Sequence, residues 1–345
     1  MSDIEATDFT LPALVADGRL DVVATRYRLS DIQIGSGARL SLVCLHAVSY
    51  YKETWLPTIE CLFQLQAKAR NNRFTVIEAW SIDSPNHGRA AIANEDRLMS
   101  IPQGLDAHDW ARAIQVLLQS GLIQGTSIVG LGHSGGGCVL PLTTIGYPID
   151  QLPFSSIVLV EPGIMTPQMI ERVTAMGTPY NSILGMAKTR RDTWPSREAA
   201  RAWMSTRLPW KHWTPRSLDL FVEYGLRDLP TMTYPDAQSG VTLCCTRVQE
   251  VAGYIHNQDS VDTLERLKDI CPVIPVHCVF GDRTDLIPDI AKADIVDERQ
   301  GRKMATMTTI PGRGHLILME DPQSVALAVW GILHHCQWGE KLSRL

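Results

Sequence analysis

Residues 127–137 read Ser127-Ile128-Val129-Gly130-Leu131-Gly132-His133-Ser134-Gly135-Gly136-Gly137, an apolar run that ends in a serine set among glycines. The run suits a buried strand over 127–132, and the residues after it carry a helical pattern over 136–145. A side chain presented at a sharp strand-to-helix turn forces its own backbone into a strained region, and small neighbours let strand and helix approach. Gly132, Gly135, Gly136 and Gly137 supply that room. A helix starting here also aims its free N–H groups at negative charge forming nearby. Gly132-His133-Ser134-Gly135-Gly136 therefore stands in the context in which a G-x-S-x-G turn presents a nucleophile. A glycine-rich turn without chemistry is the plain alternative, and it loses ground only if partners for the serine exist elsewhere.

Outward from this turn, strands alternate with amphipathic helices. Strands are expected over 20–29, 40–46, 75–83, 127–132, 156–161, 274–280 and 305–310, and helices over 56–69, 106–118, 136–145, 261–270 and 322–334. The pattern predicts an α/β protein with a mostly parallel, eight-stranded sheet covered by helices on both faces. Residues 163–255 interrupt it, with no good buried strand but with helix starts such as Thr193-Trp194-Pro195 and Thr214-Pro215, where Thr caps and Pro opens the first turn. The expected organisation is a core over 1–162 and 256–345 with a helical lid over 163–255. That insertion holds Trp194, Trp203, Trp210 and Trp213 and also Met165, Met169, Met176 and Met186. Most of these residues are expected to glue the helical layer to the core, and a minority to line a pocket for a flexible apolar substrate.

At 345 residues, 45% hydrophobic and 20% charged, the chain can bury a large core. Lys and Arg number 32 against 37 Asp and Glu, and no basic run breaks the balance, so neither nucleic acid nor an anionic bilayer is an expected partner. The apolar stretches are strand-length, short of the roughly 20 residues that span a bilayer, and the acidic start has no apolar leader. Eight cysteines show no CxxC or Cys/His ligand spacing, so buried thiols in a reducing compartment are expected rather than bridges or a metal site. The last residues, Ser343-Arg344-Leu345, match the small-basic-Leu peroxisomal address, which predicts a peroxisomal import receptor as partner and an exposed tail beyond Trp338. Without that address the protein would be cytoplasmic. An exposed final helix leaves room for a homodimer.

Four ordered segments resemble the α/β-hydrolase superfamily, over nearly the whole chain outside the insertion. Besides the serine turn, His46-Ala47-Val48 followed by Trp55 is similar to that family's oxyanion loop, and Asp83-Ser84-Pro85-Asn86-His87-Gly88-Arg89 to its D-x-P-G-H-G-x-S turn. Gly314-His315 followed by Glu320 and Pro322 resembles its C-terminal histidine segment. The tail and the Trp-rich insertion are similar to fungal hydrolases of toxin and polyketide biosynthesis.

The resemblance implies a serine nucleophile, Ser134, with His315 as base, because a weakly acidic hydroxyl needs an imidazole within reach. His133 is expected to pack or hydrogen-bond locally, and His46 and His87 to brace their own loops. The acid that orients the imidazole has two candidates. Aligned on Gly281 and Pro288, the usual position holds Thr284, with Asp282 and Asp285 displaced beside it. Some members place the acid after the preceding strand, where this chain has Glu161 at the end of Ile157-Val158-Leu159-Val160. Glu161 is the preferred acid and Asp285 the alternative, with Thr284 offering a secondary hydrogen bond. The expected oxyanion donors are the backbone amides of Val48 and Gly135. Ala47 replaces the family's usual Gly, so Ser49, Tyr50 or Tyr51 can also reach the pocket.

The resulting chemistry is acyl transfer through an acyl-serine on a hydrophobic, polyketide-like ester or a carrier-protein or CoA thioester. Resolution by water gives an esterase or thioesterase; resolution by an alcohol gives a transferase, and by a hydroxyl on the same chain a lactone. Asp-nucleophile chemistries are disfavoured by Ser134, and no phosphate loop or dinucleotide fingerprint accompanies the strands, so no cofactor is expected. Two other readings compete: a peroxisomal lipase or thioesterase of fatty-acid metabolism, and a non-catalytic binder on the same fold, against which the retention of both Ser134 and His315 argues.

Overall fold

A computed structural model describes residues 3–15, 18–69, 73–178 and 183–338. The terminal Ser343-Arg344-Leu345 lies outside them. Eleven strands are described in chain order: β1 (Ile4–Val15), β2 (Gly18–Leu29), β3 (Ala38–Leu45), β4 (Phe74–Ile82), β5 (Ser127–His133), β6 (Ser156–Val160), β7 (Thr193–Trp194), β8 (Leu226–Asp228), β9 (Val241–Leu243), β10 (Val276–Gly281) and β11 (Thr306–Ile310). Eight of them form one sheet in the order β1-β2-β4-β3-β5-β6-β10-β11. The pairs β1/β2 and β2/β4 are antiparallel and the rest parallel. The central strands are apolar almost throughout because helices cover both faces; all nine residues of β4, all five of β6 and all six of β10 are buried.

One core packs the helices Leu56–Lys68 and Pro322–His335 and much of the insertion against the sheet, and a second packs Ala107–Gln119, Gly135–Leu142 and Gln258–Ile270 against the other face. The helix at Ala107 starts where the sequence places it, since Asp106 Oδ1 accepts from Asp109 N at 2.7 Å and Asp109 Oδ2 accepts from Asp106 N at 3.3 Å. The final helix buries Val325, Ala326, Val329 and Leu333 and leaves Leu327 exposed.

Two features differ from the sequence reading. β1 is an additional edge strand whose residues are largely exposed and include Pro12, opposite Asp21; an edge tolerates both, and so its apolar signal is weak. Within residues 163–255, β7, β9 and β8 form a small antiparallel sheet, built of strands too short to show any periodicity. Thr193 consequently lies in a strand rather than at a cap, and the next helix, Arg197–Met204, is capped by Ser196, which accepts from Ala199 N at 3.2 Å. Thr214 does cap as expected, accepting from Ser217 N at 3.1 Å with Pro215 in the first turn. Trp194, Trp203, Trp210 and Trp213 form a chain of rings with centroids 5.7 to 6.5 Å apart, ending on Phe221. These indoles are packing for the insertion. Among the described residues no helix is long and apolar enough to cross a membrane.

Candidate active site

Because β3, β5, β6 and β10 are parallel neighbours, the loops leaving their carboxyl ends open into one crevice, where ligands meet sheets of this kind. Register brings His133 beside Val160, and Val160 beside Val279. Ser134 and Glu161 thus step off adjacent strands at the same level. Both backbones turn there into the left-handed half of φ space, Ser134 at φ 52 and Glu161 at φ 44. Such strain costs about 1–3 kcal/mol per residue and persists only where the surroundings hold it. They do: Ser134 N donates to Val160 O at 3.1 Å, Gly163 N to Ser134 O at 3.0 Å, and Glu161 N to Val279 O at 2.8 Å. The turn also needs Gly132 and Gly136. A Cβ on Gly132 would lie 2.5 Å from Gly136 O, and one on Gly136 2.5 Å from the carbonyl oxygens of Leu45 and His46.

His315 reaches this point from the loop after β11. Its Nε2 lies 2.8 Å from Ser134 Oγ, and its Nδ1 lies 3.2 Å from Glu161 Oε2. These partners set the tautomer, with Nδ1–H donating to the carboxylate and Nε2 accepting from the serine hydroxyl. The backbone of His315 is gripped on both sides, its N–H donating to Asp285 Oδ1 at 2.8 Å and its carbonyl accepting from His133 Nε2 at 2.8 Å. Burial pulls the His133 imidazole down to about 3, which keeps it a neutral donor.

Of the two acid candidates, Glu161 faces the imidazole ring and Asp285 faces the backbone of the same residue. Asp285 Oδ2 is turned away to Arg283, whose Nε and Nη2 lie at 3.1 and 3.0 Å. Thr284 is exposed and makes no hydrogen bond among the described residues. Glu161, 1% exposed, has a second partner that sequence reasoning missed. Its Oε1 accepts from Lys292 Nζ and from Gly281 N, each at 2.7 Å, and Lys292 Nζ also donates to Gly281 O at 2.8 Å. Burial alone would push the Glu161 carboxyl up, but the hydrogen bonds and charges of His315 and Lys292 outweigh it and hold the group below its ordinary value. Lys292 stands one turn before Ile295 on the buried face of the helix Asp289–Ile295. A lysine at a core position of an amphipathic pattern was the available signal.

The loops after β3 and β4 are braced within themselves, His46 Nδ1–H donating to Ala47 O at 2.7 Å and His87 Nδ1–H to Asn86 Oδ1 at 2.6 Å, and also against one another. His46 Nε2 accepts from Ser84 N at 3.0 Å, and His87 Nε2 accepts from Ser49 N at 3.0 Å. Burial lowers the His46 ring to about 4 and the His87 ring well below its usual value, so both are neutral acceptors. Val48 N lies 3.3 Å from where a Cβ on Gly135 would stand, and among the described residues it donates to nothing. The Val48 amide therefore lies against Gly135, the first residue of the serine helix.

Ser134, Val48, Gly135 and His315 line a cavity of about 100 Å³ walled by Trp110, Val139, Met165 and Ile287. Ser49, Tyr50, Tyr51 and the four insertion tryptophans lie outside its lining, and Met165 is the only one of the four insertion methionines in it. Cys138 also lines the cavity, and burial pushes its thiol up to about 12, so it stands there as a neutral thiol. A larger cavity of about 320 Å³ shares Asn86 with this one but contains neither Ser134 nor His315. Ser134 and His315 meet in the smaller space, which makes it the candidate site. Among the described residues no group of three His, Cys, Asp or Glu is placed to hold a metal ion.

A nucleophile elbow, a histidine from the last loop and an eight-stranded sheet of this order define a hydrolase fold, and the chain belongs to the alpha/beta hydrolase family, which it matches over residues 42–329. In sequence it is 29% identical over 201 residues to mpaH, a type I acyl-CoA thioesterase of Penicillium roqueforti, a match covering 58% of this chain and 43% of that protein. The chain thus matches less than half the length of that relative. It is 30% identical over 230 residues to the abhydrolase domain-containing protein ACTT2-1 of Alternaria alternata, covering 59% of this chain and 82% of the relative. In fold it is similar to the peroxisomal alpha-beta-hydrolase Lpx1 of Saccharomyces cerevisiae, with a TM-score of 0.72 at 17% identity over 100% of this chain and 93% of that one. It is also similar to the thioesterase domain from the curacin biosynthetic pathway, with a TM-score of 0.62 at 14% identity over 96% of this chain and 100% of that one.

Proposed function

We propose that the protein transfers acyl groups through an acyl-serine, acting on a hydrophobic ester or thioester. The observation that carries this is the unbroken run from Ser134 Oγ through His315 to Glu161, at 2.8 and 3.2 Å. In this reading Ser134 attacks the carbonyl carbon while His315 Nε2 takes the hydroxyl proton, and Glu161 stabilises the imidazolium that results. The tetrahedral oxygen lies between the amides of Val48 and Gly135, donors of a kind worth about 3 kcal/mol each. Collapse expels the alcohol or thiol, which receives the proton from His315. Water activated by the same imidazole then releases the acid, the esterase or thioesterase outcome that the relation to an acyl-CoA thioesterase favours. An alcohol, or a hydroxyl on the acyl chain itself, closes the cycle as a transferred ester or a lactone.

Residues 163–255 act as the lid of this site, since Met165, Ile183 and Tyr254 line its cavity. The apolar wall of Trp110, Val139, Met165 and Ile287 within a mixed lining supports a hydrophobic, medium-chain acyl group, and a CoA or carrier-protein thioester is its expected form. Provided that Leu345 is the free carboxyl terminus, the Ser-Arg-Leu pattern extends the proposal to peroxisomal import, a location shared with the yeast relative.

The test combines fluorophosphonate labelling with intact mass after feeding acyl thioesters with and without a distal hydroxyl. Wild type gains the adduct on Ser134, and Ser134→Ala gains none while remaining folded. Product mass separates acid, ester and ring. A folded wild type that takes up neither phosphonate nor acyl group refutes the proposal and leaves a binding protein.

A further inference from the structure

The residue after the Val48 donor is held in a costly conformation by a helix of the insertion. Ser49 has φ 78, a left-handed value that a serine adopts only when held there. Its amide is bound by His87, and its hydroxyl is bound from the helix Arg247–Ile255. Ser49 Oγ donates to Glu250 Oε1 and lies 2.9 Å from Tyr254 Oη. Glu250 is 2% exposed, and its other oxygen lies 2.9 Å from Arg190 Nη2, at ion-pair distance without hydrogen-bond alignment. A buried carboxylate is expensive, and this one spends an oxygen on a loop serine next to an amide that is free of protein partners.

One turn further along, Gly253 meets the same loop. A Cβ there would lie 2.8 and 2.9 Å from Cγ1 and Cγ2 of Val48, and 3.4 Å from its Cβ. The three nearest atoms to that position thus all belong to the donor residue itself. The helix backbone rests directly on the Val48 side chain, and this approach is possible because position 253 has none.

We propose that Glu250 and Gly253 are positioning residues for the oxyanion donor: one by gripping Ser49, the other by leaving space for Val48, they hold the Val48 amide towards the substrate carbonyl. The inference rests on the acyl-transfer reading, and it adds that the donor is in place only while this helix is seated on the loop.

Gly253→Ala is the sharpest test, because Ala is the better helix former and loss of the helix is not its expected consequence. Removing a whole oxyanion donor costs about 100- to 1000-fold in kcat, so displacing one is expected to cost about 10- to 100-fold with KM within about twofold. Val48→Ala in the same chain removes both colliding carbons, leaves the 3.4 Å contact, and is expected to return kcat most of the way. Glu250→Ala should lower kcat in the same manner, while Glu250→Gln, which keeps an acceptor for Ser49, should be much milder. Gly253→Ala at wild-type kcat, or a loss that Val48→Ala does not recover, overturns the inference. Hydrogen exchange over residues 46–51, measured on the same full-length variants, decides it independently of turnover. Faster exchange in Gly253→Ala, reversed by Val48→Ala, upholds the dependence of the loop on the helix, and unchanged exchange overturns it. Phosphonate uptake by wild-type Ser134 separately decides the acyl-transfer reading, so failure of one is distinguishable from failure of the other.

Discussion

Replacing Glu161 by Gln removes one charge from a buried group of three, and what remains is a lysine whose side chain is 9% exposed facing a neutral amide. At 2.7 Å and an effective dielectric constant near 20, the Lys292–Glu161 attraction is about 6 kcal/mol before desolvation is subtracted. Breaking a buried pair from one side typically costs about 3–5 kcal/mol, because the partner stays buried and unpaired. Glu161→Gln is therefore expected to lose about that much stability in urea unfolding at pH 7. At that pH the wild-type pair is fully formed. A carboxyl held below its ordinary value contributes its stabilisation above that value and loses it only as pH falls through the lowered folded one. The double variant Glu161→Gln/Lys292→Met removes the orphaned cation and is expected to recover most of the loss.

Activity behaves differently. An amide N–H aimed at His315 Nδ1 selects the tautomer in which Nε2 carries the proton and cannot accept one from Ser134, a change worth about 10⁴ in kcat for this kind of triad. Both variants should share that defect, so stability returns in the double variant and turnover does not. Unfolding curves for Glu161→Gln within about 1 kcal/mol of wild type would contradict the ionised pair. Turnover restored in the double variant would contradict the orienting role.

Asp285→Asn keeps an acceptor for His315 N, so kcat/KM should fall less than about tenfold, far less than for Glu161→Gln; the reverse ranking in steady-state assays would transfer the orienting role to Asp285. Acid should destabilise the fold through its buried imidazoles. His133, held down to about 3, and His46, held down to about 4, are neutral in the fold, whereas both bind protons in the unfolded chain below 6.5. Stability is thus full above 6.5 and is lost as pH falls towards the folded values, by about 2 kcal/mol per ring at pH 5. His133→Gln, whose Nε2 can still donate to His315 O, should flatten that limb in urea titrations across pH, and an unchanged slope would refute the assignment. Removing Ser343-Arg344-Leu345 from an N-terminally tagged protein should move it from peroxisomes to cytosol under the microscope, and an unchanged distribution would make the tail match accidental.

Much of the scaffold was legible because burial on both faces leaves a simple mark. β3, β4, β5, β6 and β10 are apolar along most of their length, and helix patterns between them imply parallel pairing. Ser134 and His315 were legible because a nucleophile elbow and a loop histidine need unusual neighbours, and glycines record that need in one dimension. β1 left a weaker trace, since an edge strand keeps one side in water. The short strands β7, β8 and β9 left none, being two or three residues long.

Which carboxylate meets the imidazole belonged to the tertiary structure. Glu161 and Asp285 both lie within reach of His315, one at the ring and one at its amide, and the two arrangements differ by a rotation that no spacing encodes. The same holds for Lys292, Glu250 and Gly253, whose partners lie 131, 201 and 205 positions away in the chain. Local sequence therefore determined where a nucleophile could be presented and by what kind of sheet, because backbone strain and strand burial are local demands. The charge balance on the acid and the support of the oxyanion loop were decided only by packing, because Coulomb forces and steric contact act through space and leave no period along the chain.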